Sequence, residues 1–360
     1  MVLSIHARTS RARTGIATGL AVLATTAFGG CSLTTSSGEE SGGSGDRVVL
    51  VTHDSFNLPD ELVADFEERS GLTLEVRPSG DAGTLTNKLV LTRDDPLGDV
   101  VFGVDNTFAS RALAEGVFAS YAPELPAGAA DHELPGDEDD ALTPIDTGAV
   151  CLNVDDTWYA ERDLTPPRTL EDLTDPAYRD QLVLPGAATS SPGMAFLLTT
   201  IARFGEEWPD YWRDLLDNGA RLTGGWSDAY QAEFTQGGGK GDRPLVLSYD
   251  SSPAFTVSGG TSTTSALLDT CFEQVEYAGV LEGAENPEGA EQVIDFLLSD
   301  EVQAALPDHM YVFPVSTEVE LPAAWAKHAP RPEQPWEVDP AEIDANRDAW
   351  LREWNDLVSR

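Results

Sequence analysis

The chain has 360 residues, with 22 Lys and Arg against 62 Asp and Glu, a formal net charge of −40. That balance excludes nucleic acid, whose phosphates are gripped by Lys and Arg, and electrostatic docking on anionic lipid. Five His and three Cys leave little material for a zinc framework. At 41% hydrophobic and 23% charged the composition is otherwise that of a globular protein. The length is enough for two domains, each with its own core.

Residues 1–30 read as a leader. Arg8, Arg11 and Arg13 form a basic start, and 15–28 (GIATGLAVLATTAF) is an apolar run too short to span a bilayer. It closes on Phe28-Gly29-Gly30-Cys31, which resembles the lipobox of bacterial lipoproteins, with Phe28 where Leu is usual. The resemblance implies that Cys31 becomes a lipidated N-terminus. Residues 31–46 (CSLTTSSGEESGGSGD) bury too little surface to fold and read as a flexible tether. A leader and anchor place the rest outside the cytoplasmic membrane, where disulfides persist. Cys151 and Cys271 both sit in strand-like runs, so a bridge and two separate buried thiols both remain open.

From residue 47 onward, strand-like runs alternate with helical patterns. Residues 48–52 (VVLVT) form a β-branched run, as in a strand covered on both faces. A helix over 59–69 follows, with Leu62, Val63 and Phe66 on one face and Gly71 after its end. Strands are predicted at 72–76 and 99–104, then a helix over 107–115 that stops at Gly116. Further strands are expected at 150–154, 182–184 and 245–249. Helices are expected at 194–204, 209–217, 228–234 and, as one long element, 289–306. A last helix over 340–359 presents Ile343, Trp350, Leu351, Trp354 and Leu357 as an apolar face that should brace a lobe. The alternation predicts an α/β fold with largely parallel sheets.

No catalytic signature stands out. His132-Glu133 is followed by Leu-Pro-Gly, so the paired-His zinc helix is missing, and no G-x-S-x-G surrounds any serine. The Gly-rich stretch 237–242 lacks the Ser or Thr that a phosphate-binding loop needs after Lys240. Open α/β sheets instead bind ligands at strand ends. Segments rich in aromatics, hydroxyls and carboxylates fall at such ends, among them Asp54 with Ser55, and Asp105 with Asn106. Ser190 with Ser191, Trp226 with Tyr230, Tyr249 with Ser251, and Tyr311 belong to the same set.

In order, T-x-D-S-F (52–56), G-V-D-N (103–106), T-S-S-P-G-M (189–194), G-W-S-D-A-Y (225–230), L-S-Y-D-S-S-P-A-F (247–255) and the closing A-W-L-R-E-W-N-D-L-V-S-R (349–360) resemble the thiamine-binding substrate-binding proteins of ABC importers. The resemblance implies an α/β, two-lobed, periplasmic-binding-protein-like clam-shell of type II with hinge strands between its lobes. Residues 47–147 and 266–360, including the C-terminal helix, would form lobe 1, and 148–265 lobe 2. It implies no enzyme and no cofactor or metal, but capture of thiamine or its phosphate esters by a monomer for an ABC permease and its ATPase. Asp105 would face the cationic thiazolium or its aminopyrimidine. Trp226 and Tyr249 would give aromatic faces, Tyr311 would stand where the family places Trp, and Ser190 and Ser191 would bind polar edges. Phe255 and His53 stand where Tyr is common and are expected to pack rather than touch ligand. Few basic residues flank these loops, which favours free thiamine over its diphosphate. A polyamine or ferric iron is the alternative cargo, and a secreted enzyme the more distant one.

Overall fold

The computed structural model describes residues 46–359. The segment expected to be a leader (1–30), Cys31, expected to be lipidated, and all of the expected tether but its last residue lie outside the described residues. In chain order the first half holds β1 (Arg47–Thr52), α1 (Asp60–Ser70), β2 (Thr73–Pro78), α2 (Ala82–Leu91), β3 (Val100–Asp105), α3 (Ala109–Ala114) and the short β4 (Phe118–Ala119). The long β5 (Thr143–Asp155) then leads into α4 (Asp156–Glu161), β6 (Leu182–Pro185), α5 (Ser191–Phe204), α6 (Trp208–Asp217), β7 (Arg221–Thr223) and β8 (Leu245–Tyr249). After the hairpin β9 (Val257–Ser258) and β10 (Thr261–Ser262), the 18-residue β11 (Thr264–Leu281) returns to the first half. There α7 (Pro287–Leu297), α8 (Asp300–Met310), β12 (Phe313–Pro314), α9 (Ala323–His328) and α10 (Pro340–Val358) complete the chain.

One sheet runs β2-β1-β3-β11-β5-β8-β6-β7, with β4 added to β11 and β12 to β5. Its ends are parallel, β1 with β2 and β3, and β6 with β7 and β8. Its middle is antiparallel, β11 with both β3 and β5, and β5 with β8. The expectation of largely parallel sheets therefore holds only at the two ends. The short helix-linked strands are parallel because each crossover runs through a helix. The two long strands reverse direction because they carry the chain from one half to the other and back.

Separate cores fill the two halves. Val48, Leu50, Phe102, Ile294 and Val302 cluster in the first, while Phe196, Leu198, Trp212 and Leu247 cluster in the second. The C-terminal helix sets Ile343, Trp354 and Leu357 into that second cluster, with the Trp354 and Trp212 rings 5.7 Å apart and edge to face. It also reaches the first half, where the Arg347 guanidinium lies 4.8 Å from the Phe108 ring centroid.

The long helix expected at 289–306 is two helices. Ser299 is extended (φ −62°, ψ 149°) and starts α8, followed by Asp300 and Glu301 in its first turn, where carboxylates suit the positive helix end. The element expected at 228–234 is a π-helical turn over Asp228–Glu233, closed by the Phe234 N–H donating five residues back to Ala229 O at 3.0 Å. Cys151 on β5 and Cys271 on β11 are joined as a disulfide with their Cα atoms 4.1 Å apart. They sit where β11 leaves register between Leu267 and Phe272, so the bond pins an irregularity between the two crossing strands. The Thr270 hydroxyl accepts the Leu152 N–H there (3.1 Å), replacing a ladder partner.

Candidate functional site: a cavity between the two halves

Strand ends of both halves converge on a cavity of about 310 Å³, within the range of small-molecule sites. Of the residues singled out from the sequence, Asp54, Ser55, Ser191, Trp226, Tyr249 and Tyr311 line it. The remaining five do not line it.

Asp105 is fully buried at the end of β3. Its Oδ1 accepts from Thr107 N (2.8 Å), Thr107 Oγ1 (2.7 Å) and Phe108 N (3.2 Å), which closes the turn into α3. Burial pushes its carboxyl up, opposed by the Ser191 hydroxyl and these donors. Asn106 ties β3 to β11, donating to Glu273 O (3.0 Å) and accepting from Val275 N (3.2 Å). Ser190 is fully buried at the start of α5. The Ser251 hydroxyl donates to Tyr311 O at 2.6 Å, fixing the backbone of a residue that sits in the left-handed region (φ 63°).

Tyr230 backs the wall. Its ring stacks on Trp226 at 5.2 Å and 15°, and burial pushes its hydroxyl up to about 12. The π-helical turn brings residues 226 and 230 face to face, and the Trp226 Nε1–H donates to Ser248 Oγ at 2.9 Å. One indole face is thus covered and its polar edge satisfied, while the residue lines the cavity. Tyr249 lies 6.3 Å from Trp226, tilted by 59°.

Three acids not singled out from the sequence stand at the chamber: Asp81 and Glu276 line it, and Asp146 lies opposite Glu276. Asp81 precedes α2 and accepts from Ala82 N (2.7 Å) on its own half and from Trp226 N (2.8 Å) on the other. Thr84 N also donates to Thr189 O (3.1 Å), and the Ser55 and Ser227 hydroxyls lie 3.2 Å apart, so the halves touch on several sides of the cavity. Gly83 permits this approach, because a Cβ there would come within 2.8 Å of the Thr189 carbonyl carbon. Burial raises the Asp81 carboxyl, opposed by the Trp226, Ala82 and Ser190–Ser191 donors.

Glu276 enters from β11 and lines the cavity, and Asp146 faces it across the β5–β11 ladder. Burial, then the charge of its neighbours, drives the Glu276 carboxyl well above the ordinary carboxylate range, and burial does the same to Asp146. His53, expected to pack, lines the cavity instead. Gly103 (φ 95°) lets it lie flush on β3, since a Cβ at that position would collide with the imidazole. His53 Nδ1 accepts from Ser55 N (3.1 Å), which leaves Nε2 facing Glu276 at 3.5 Å. Burial lowers the imidazole to about 4, opposed by Asp54, so it is neutral and gives Glu276 no countercharge. Among the described residues that line the cavity there is no Lys or Arg.

A signal for these acids exists in the sequence. Asp81 stands directly before a helical run and Glu276 interrupts the apolar strand QVEYAGV. A charge inside such a strand demands a partner.

Comparison with known proteins places this geometry. Residues 95–344 match the family described as bacterial extracellular solute-binding protein. The thiamine-binding periplasmic protein of Brucella melitensis is 31% identical over 327 residues, covering 88% of this chain and 93% of that protein. Its namesake from Escherichia coli is 30% identical over 87% of this chain and 94% of its own. A solved structure titled periplasmic thiamin binding protein superposes with a TM-score of 0.75 at 30% identity, over 87% of this chain and 96% of that one. A ferric binding protein from Campylobacter jejuni, at 18% identity and a TM-score of 0.67, shares the fold. The α/β architecture is thus the two-lobed type II arrangement of periplasmic binding proteins, and the chain belongs to the bacterial extracellular solute-binding protein family.

Proposed function

We propose that the protein captures thiamine in the cavity between its lobes and delivers it, on the extracytoplasmic face, to an ABC permease driven by a cytoplasmic ATPase. The observation that carries this reading is a chamber with aromatic rings and carboxylates on its wall and, among the described residues, no Lys or Arg. Thiamine is a flat, permanently cationic ring joined to a hydrogen-bonding pyrimidine. A cation over an aromatic face gains roughly 0.5–2 kcal/mol, and Trp226, Tyr249 and Tyr311 offer such faces. Ser55, Ser191 and Asp54 supply polar edges for the pyrimidine. The absence of Lys and Arg disfavours a diphosphate.

Residues 47–147 and 266–360 would form one lobe and 148–265 the other, hinged on β5 and β11, with α10 lying across both, against α6 of the second and beside Phe108 of the first. Cys31 would anchor a monomeric capture protein, without catalytic activity, to the membrane. Ligand would favour the closed arrangement by bridging both lobes. Titration calorimetry with thiamine, its mono- and diphosphate, spermidine and Fe³⁺ tests this. Micromolar or tighter binding of thiamine is expected, with spermidine and iron silent. In Trp226→Ala, affinity should fall at least tenfold, on the order of 1.4 kcal/mol. Tighter binding of spermidine than of thiamine would overturn the assignment.

A further inference from the structure

Resting on the thiamine reading, the question becomes which acid holds the charge. Asp105 does not line the cavity: its Oδ1 closes the turn that leads into α3, and its Oδ2 is buried. Glu276 lines it, is 5% exposed, and has as its one ion-pair neighbour among the described residues the neutral His53. Behind it Asp146 is 1% exposed, and neither of its carboxylate oxygens receives a donor from the backbone or from a side chain other than the adjoining Glu276 carboxyl. Two carboxyls packed together without a cation disfavour ionisation of both, so the pair retains a proton.

We propose that Glu276, backed by Asp146, is the carboxylate against which the cationic ring seats, and that seating it displaces the shared proton to solvent. No bond other than O–H is broken, and the entering positive charge replaces the departing one. The other titratable groups around Glu276 do not provide that replacement. Asp81 at the start of α2 and Asp105 at the end of β3 carry the same sign. Tyr249 at the end of β8 is held neutral by burial and by the acids around it. His53 at the end of β1 is uncharged, and His309 and Tyr311 stand on the rim. A cation within a few ångströms favours the ionised form of a carboxyl by about one to three pKa units, which drives the shared proton toward solvent.

The consequence is a cavity that binds more tightly as pH rises and loosens its cargo on acidification. Calorimetry with thiamine between pH 5.5 and 8.5, repeated in phosphate and in Tris, reads it out. Affinity should climb by up to tenfold per pH unit, and the two buffers should differ in heat by the ionisation of up to one proton. Glu276→Gln should lose at least tenfold in affinity at pH 8 together with most of the pH slope. Asp146→Asn leaves the carboxylate at 276 ionised beside an amide donor, so it should keep the pH 8 affinity while flattening the slope. A merely structural role for either residue predicts no such split. Protonation of the aminopyrimidine is common to all three proteins and cancels in the comparison. A pH-independent affinity in wild type, or a wild-type slope in Glu276→Gln, overturns this proposal and leaves thiamine capture standing. No thiamine heat from wild type at any pH overturns both.

Discussion

The rim and the floor of the cavity are built on different principles. Rim groups such as Ser55, Trp226 and Tyr311 sit on segments after strand ends or helix ends, held by single bonds such as Asp81 to Trp226 N and Ser251 to Tyr311 O. Floor groups sit inside the two longest strands. Asp146 and Glu276 are fixed by ladder bonds on both sides, and a few residues away the Cys151–Cys271 bond ties the same strands together. The rim can open and close without disturbing a core. The floor cannot move without breaking the sheet, so it is the part able to store buried charge that awaits a partner.

The disulfide gives the largest expected effect. Cys151→Ala with Cys271→Ala should cost about 2–5 kcal/mol of folding stability, because the bond closes a 120-residue separation in the unfolded chain. Urea unfolding measures it. At saturating thiamine the double variant should still quench Trp fluorescence, since the rim is built independently. A stability loss below about 1 kcal/mol would mean that the sheet alone fixes the floor.

A second test uses the acids themselves. Asp250, fully buried beneath β5, accepts the Ala149 N–H (3.2 Å), with the Arg331 guanidinium 3.9 Å away. Burial raises its carboxyl from 3.8 to about 6, opposed by Arg331 and the backbone donors. The folded state therefore holds a proton that the unfolded chain releases near pH 4. Its contribution to stability is complete below that value and is lost as pH rises through about 6. Two units correspond to about 3 kcal/mol at most. Ligand-free protein should thus be more stable at pH 5 than at pH 8 by denaturant titration, and Asp250→Asn should narrow the gap. An unchanged gap would move the effect to other groups.

The same division explains what could be read from the chain. Most of the short strands, the longer helices and α10 were legible because their apolar spacing repeats within a few residues, whereas α2, β7 and the two-residue strands β4 and β12 were not. The rim was legible through local clusters such as G-W-S-D-A-Y. The floor was not, because the lengths of β5 and β11 and their register are set by pairing across more than a hundred residues. Glu276 stands out as a charge in an apolar strand, but what it faces is not visible until the register places Asp146 opposite it. The break at Ser299 was readable from a serine followed by two acids, but the apolar stripe on either side masked it.

Asp105 gives the smallest expected effect on binding, and it separates rim, floor and scaffold most directly. Three donors converge on its Oδ1, so Asp105→Ala leaves the turn into α3 without its acceptor and should cost about 1–2 kcal/mol of stability. Its charge reaches the ligand only through Glu276, where it adds to the burden that the cation relieves. Removing that charge makes Glu276 easier to ionise and slightly weakens the field on the cation. The two changes oppose each other, and the thiamine dissociation constant should move less than threefold. A tenfold loss of affinity with stability intact would return the charge partner to the end of β3 and make the floor pair a structural feature of the hinge.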